Sequence, residues 1–187
     1  MQPIDQFLSH RLKALRKEKG WSLDKTSKET GVSKAMLGQI ERSESSPTLA
    51  TLWKIASGFN TSLSAFIESN QDASTGNEIR EADQLRHKPS IDEMLVAPLF
   101  PYDHQYGFEL FELTLMPGYE RLSDPHVKGV TEHVIVIRGE MELLIEGKWQ
   151  PMKQGDAIRF AADKEHGYRN LSDQPAVFHN LIYYAES

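Results

Sequence analysis

Residues Ser22–Arg42 read SLDKTSKETGVSKAMLGQIER. Ser22 offers an N-cap to a short helix that runs to about Thr30, and Gly31-Val32-Ser33 follows as a tight turn. Glycine accepts a positive φ there, Val32 tucks into a core, and Ser33 caps a further helix from Lys34 to about Arg42. In that helix Met36, Leu37 and Ile40 fall on one side, while Lys34, Ala35, Gly38, Gln39 and Arg42 fall on the other. A small, polar and cationic face of this kind can enter a DNA major groove. Gln39 can pair with adenine, Lys34 can reach guanine or phosphate, Ala35 leaves room for a thymine methyl, and Arg42 can hold backbone. A merely solvated helix has the same composition, so the surrounding sequence decides.

Working outward, Phe7, Leu8, Leu12 and Leu15 recur at helical steps up to about Lys19, where Gly20 supplies a stop. Pro47, Leu49, Leu52, Ile55 and Phe59 start a fourth helix and give it an apolar face, and Leu63, Phe66 and Ile67 supply a fifth. Trp21 and Trp53 read as core residues. The whole stretch Leu12–Ile67, with LRKEKGWSL, TGVSKAMLGQIER, SPTLATLWKIA and SLSAFI in order, resembles the XRE-type helix-turn-helix family, whose DNA-binding domain has five helices and is shared with phage repressors such as that of lambda. The resemblance implies that Lys34, Ala35 and Gln39 meet base edges. It also implies that Ser22, Ser33 and Arg42 contact phosphates and that Arg16 pairs with Glu41 to brace the helices. Thr26-Ser27 stands where the family usually has Leu-Ala, which bears on the packing of the second helix. Members of this family usually bind as dimers on two half-sites about one helical turn apart.

The chain has 187 residues and a formal charge of −6, a length that suits one large domain or two small ones. Counted by segment, residues 1–69 carry ten basic and seven acidic residues, a balance of +3, and the remainder carries −9. Net charge taken over the whole chain would have argued against DNA; taken by domain it does not. No apolar run approaches the ~18–20 residues that span a bilayer, and the N-terminus lacks the pattern of a signal peptide. The absence of cysteine excludes disulfide scaffolds, thiolate metal sites and Cys nucleophiles, and a reducing cytoplasm is the expected setting.

Residues 70–90 are polar and broken and read as a linker with a short helix around Glu78–Leu85. Beyond it, Glu93–Phe100, Gly107–Met116, Glu132–Arg138, Glu140–Glu146, Ala157–Phe160 and Ala176–Tyr184 are strand-length segments, most of them separated by Gly-containing turns. The expected organisation is a multidomain α + β chain: helical residues 1–69, linker 70–90 and an all-β domain over 91–187. Within the last, His126, Glu132 and Gly139 match the spacing of one motif, with Lys128 at its second histidine position. Gly155, His166 and Asn170 match a second, in which Ala161 and Asp163 replace Pro and Gly. This pattern resembles the cupin family, a double-stranded β-helix barrel.

The cupin resemblance implies that His126, Glu132 and His166 are three of four ligand positions around a divalent ion. Such a set suits Zn, alternatively Fe, Mn or Ni. A protonated lysine cannot coordinate, so Lys128 turns outward or meets an anion, and His133 or His179 would be substitute ligands if a bulge or strand face brought them in. A metal-free pocket with hydrogen-bonded histidines is the other reading. Tyr102, His104 and Arg159, with Arg169, are candidates to contact a small polar effector of amino-acid or carboxylate size. These features suggest a DNA-binding regulator whose barrel dimerises and senses that effector, with no enzymatic activity. A cupin dioxygenase or isomerase fused to a DNA-binding domain, and a purely structural dimerisation barrel, are the alternatives.

Overall fold

The computed structural model describes residues 4–67, 79–86 and 94–185, which fall into two compact units. The first holds α1 (Ile4–Glu18), α2 (Leu23–Thr30), α3 (Lys34–Glu41), α4 (Leu49–Phe59) and α5 (Ser64–Ile67). Local chemistry sets their ends. Ser22, Ser33 and Thr48 accept the backbone N–H groups of Lys25, Met36 and Thr51, and Gly31 closes α2 at φ 67. Leu8, Leu12, Leu37, Ile40, Ile55, Phe59 and Phe66 are buried together as the core. Trp21 is half-buried and stacks on Phe59 with ring centroids 5.0 Å apart.

Arg16 ties α1 to α3 through two bonds to Glu41, Nε to Oε1 at 2.5 Å and a terminal nitrogen to Oε2 at 2.8 Å. Thr26 is buried in place of the larger residue usual in the family, and its hydroxyl donates to the Ser22 carbonyl at 2.9 Å. That back-bond avoids the roughly 1–3 kcal/mol that an unsatisfied buried hydroxyl would cost. Gly38, expected on the outer side of α3, is buried instead: its missing side chain faces Leu23 of α2 and the Arg42 guanidinium.

Most of the expected linker, and Glu93, lie outside the described residues. Residues 79–86 belong to the second unit and contain α6 (Ala82–Leu85). They are held by Arg80, which donates to the Pro98 carbonyl at 3.0 Å, and by Arg86, 2.5 Å from the Glu112 carboxylate. The strands are β1 (Met94–Asp103), β2 (Phe108–Leu115), β3 (Glu120–Ser123), β4 (Thr131–Arg138), β5 (Glu140–Ile145), β6 (Lys148–Lys153), β7 (Ala157–Ala161), β8 (His166–Arg169) and β9 (Ala176–Tyr183). They form two antiparallel sheets, ordered β1-β2-β9-β4-β7 and β3-β8-β5-β6, the cupin-like barrel that the motifs implied.

Three of these strands, β3, β6 and β8, escape a reading of local sequence. β3 and β6 are the edges of the smaller sheet, where an outward row of unpaired backbone suits charged residues and tolerates Pro151. β8 contains Gly167, at which a Cβ would stand 2.6 Å from the Arg121 carbonyl oxygen; glycine is needed for β3 to approach.

Register fixes which side chains line the barrel. Glu109 of β2 lies opposite Ile182 of β9, Ile182 opposite Glu132 of β4, and Glu132 opposite Phe160 of β7. All four are buried. Residues one step along each strand face the other way.

Candidate functional site

On the helical unit, Lys34, Ala35, Gln39 and Arg42 are exposed along α3, and Ser22 and Ser33 stand exposed at the capped starts of α2 and α3. Each cap uses the serine oxygen as acceptor, which leaves the hydroxyl hydrogen to donate. All of these except Ala35 carry a donor, and Ser22, Ser33 and Lys34 stand at two helix N-termini, where anions are favoured. Both cations among them are engaged within the domain. Lys34 Nζ is 2.8 Å from Asp24, and Arg42 makes a two-point contact with Glu44 at 2.8 and 2.6 Å. The bond to Glu44 raises the Arg42 pKa and lowers that of Glu44. Such exposed pairs are weak and can exchange a carboxylate for a phosphate.

In the barrel, His126 precedes β4, Glu132 lies on β4 and His166 opens β8. Their ligand atoms all lie within 4.8 Å of one another. Glu132 Oε1 is 2.8 Å from His126 Nε2 and 3.4 Å from His166 Nε2. His166 Nδ1–H donates to the Lys164 carbonyl at 2.9 Å, which directs Nε2 inward. Glu132 Oε2 accepts from the Tyr168 hydroxyl and from Asn180 Nδ2, the latter at 2.9 Å. Burial opposes the charge on Glu132, but hydrogen bonds from His126 and His166 outweigh it and hold the carboxyl well below its usual range. Burial likewise opposes a charged His166, and the bond to Glu132 raises its pKa above the ordinary 6.5. Tyr168 is pushed well above 10, first by burial and then by Glu132, so it stays a phenol and donates.

This donor set fits a divalent ion. Two imidazole nitrogens and one carboxylate oxygen converge, the second nitrogen of His166 is fixed by a backbone carbonyl, and three protein ligands leave coordination positions open. Lys128, at the remaining motif position, is exposed.

Several expected contributors lie elsewhere. His133 is adjacent to Glu132 on β4, whose pairing runs without irregularity from Thr131 to Val136, so no bulge turns it inward. His179 also faces outward, with Nε2 3.6 Å from Glu112 of β2. Neither belongs to the group formed by His126, Glu132 and His166. Arg159 pairs across strands with His133 and is exposed on that same outer face. Arg169 is bound by Glu142 and lies over the Trp149 ring at 4.2 Å. Neither arginine reaches the interior residues.

Tyr102 is half-buried and stacks edge-on with His104 and Tyr184, at 5.1 and 5.3 Å. Tyr184 in turn donates to Glu109 at 2.5 Å. Tyr168, Asn180, Glu109 and Tyr184 escape the sequence reading. Their signal was a polar residue in a strand at two-residue spacing from apolar ones, as Asn180 stands between Phe178 and Ile182. Asn170 of the second motif is structural: buried, it donates to the carbonyls of Leu115 and Gln174 at 3.1 and 2.8 Å.

Residues 12–66 match the model of a helix-turn-helix family and residues 111–182 that of a cupin domain. Over 187 residues, the full length of both proteins, the chain is 48% identical to the HTH-type transcriptional regulator SutR of Escherichia coli strain K12. It is 43% identical to an HTH_3 family transcriptional regulator from Vibrio cholerae of known crystal structure, with 98% of each chain covered and a TM-score of 0.85. It is 46% identical to the cupin domain of an XRE family transcriptional regulator from Enterobacter cloacae, which covers 51% of this chain and 100% of that one at a TM-score of 0.50. No described helix is long and apolar enough to cross a membrane.

Proposed function

The chain belongs to the XRE-type helix-turn-helix transcriptional regulators with a C-terminal cupin domain, and we propose that it is a homodimeric, ligand-responsive regulator of the cytoplasm. In this reading α3 enters the major groove of a double-stranded operator. Lys34, Ala35 and Gln39 read bases, and Ser22, Ser33 and Arg42 hold phosphates. The observation that carries it is the exposed row Lys34, Ala35, Gln39 and Arg42 beside two serine-capped helix starts.

The barrel is the sensor in this reading. His126, Glu132 and His166 would hold a divalent ion, Zn or alternatively Fe, Mn or Ni. The ion, when bound, would supply a Lewis-acid anchor for an anionic group of a small polar effector. Tyr102 and His104 belong to the candidate effector contacts through Tyr184 and Glu109. An effector that favours one arrangement of the paired chains changes the half-site separation they span, and hence DNA affinity. A sensor is preferred to an enzyme because the full-length relatives are named as transcriptional regulators.

Selection of duplexes from a randomised library with the full chain tests the DNA reading. Enrichment of a two-part site is expected. Absence of enrichment, or retention of it by the Gln39→Ala and Lys34→Ala variants, overturns the assignment of α3. Metal analysis of the purified chain tests the sensor reading: one ion per chain, lost in His126→Ala and His166→Ala, is expected.

A further inference from the structure

The two oxygens of Glu132 stand in different surroundings. Oε1 faces the ring nitrogens of His126 and His166 at 2.8 and 3.4 Å. Oε2 is turned to the opposite side, where the Tyr168 hydroxyl and the Asn180 amide both donate to it. Tyr168 sits two residues past His166 on β8, and its ring stacks on Phe178 of β9 at 5.3 Å. Asn180 comes from β9, the strand paired with β4. The two donors therefore reach one oxygen from two different sheets and leave the other to the histidines.

A carboxylate with both oxygens available binds an ion in one-point or two-point fashion and can alternate between them. Two hydrogen bonds on one oxygen remove that choice, because that oxygen's lone pairs are already engaged. We propose that Tyr168 and Asn180 are positioning residues that dedicate Glu132 Oε1 to a bound divalent ion and exclude two-point binding by Glu132. The coordination number supplied by the protein is thereby fixed at three, and the remaining positions stay open to water or effector. This inference rests on the metal reading above.

Co²⁺ and Zn²⁺ added to the metal-stripped full chain are the probes. Tyr168→Phe keeps the ring and its stack on Phe178 and removes only the hydroxyl; Asn180→Leu keeps the volume and removes the amide donor. With circular dichroism establishing that each variant is folded, both are expected to bind Co²⁺ about ten- to a hundred-fold more weakly. The visible absorption of bound Co²⁺ should also lose intensity as Glu132 becomes free to bind through both oxygens and the coordination number rises. A residue that merely supports the barrel would not move that spectrum.

If the unaltered chain binds Co²⁺ or Zn²⁺ and both folded variants keep its affinity and its spectrum, the positioning role is overturned while the metal reading stands. If the unaltered chain binds neither ion at micromolar concentration, the metal reading fails and the inference with it.

Discussion

In the proposed DNA reading, one helix face divides base reading from backbone holding. Gln39 is exposed on α3 and carries no charge, so its Ala variant should lose about 1–3 kcal/mol on the selected operator and almost nothing on an arbitrary duplex. Equal losses on both would place Gln39 away from the bases. Arg42, at the end of the helix and held by Glu44, should behave oppositely. Arg42→Ala is expected to weaken binding to every sequence and to lower the slope of log affinity against log salt by about one unit.

In the barrel His166 is the candidate ligand expected to give metal binding a pH dependence. Its pKa is raised because Glu132 favours the charged imidazole more than burial opposes it, and an ion must compete with that proton for the ring nitrogen. Co²⁺ affinity should therefore rise with pH until the raised pKa of His166 is passed and then level off. A flat profile across that window, followed by titration with Co²⁺ at fixed ionic strength, would contradict the assignment of His166 as a ligand.

Among elements, α2 and α4 meet at Gly58, where a Cβ would lie 2.6 Å from the Thr30 Cα. Backbone cannot yield as a side-chain end can. Gly58→Ala should thus destabilise the helical unit by about 1–3 kcal/mol, despite alanine's higher helix propensity. Gly38 is the contrast within the same unit. Its nearest neighbour is the end of the Arg42 side chain at 3.1 Å, which can swing aside, so Gly38→Ala should leave stability unchanged or raise it slightly. Urea unfolding of both variants checks the pair. The helices themselves were legible in sequence because a cap, a turn glycine and an apolar stripe all lie within a few residues of one another. The hidden strands β3, β6 and β8 were not, since each is four to six residues of mixed polarity whose strand character comes from a neighbour distant in sequence.

For the whole molecule, the prediction is stoichiometry. The segment that carries the helices has a balance of only +3, too little to hold DNA by charge alone at moderate salt, so operator binding should require two chains on half-sites about one helical turn apart. Sedimentation of the complex should give two chains per duplex, and a duplex cut to one half-site should bind far more weakly; one chain per full site with undiminished affinity would refute dimeric recognition. What the sequence determined by itself was the division into a helical module and a β module, the candidate DNA-facing residues as a motif, and the trio His126, Glu132 and His166 as a spacing. Only the tertiary structure decided that the trio converges, that His133, His179, Arg159 and Arg169 point outward, and that Tyr168 and Asn180 claim one oxygen of Glu132. The reason is register. A strand's side chains alternate between two faces, and which face is the interior depends on pairings between segments tens of residues apart, about which the local sequence carries almost no information.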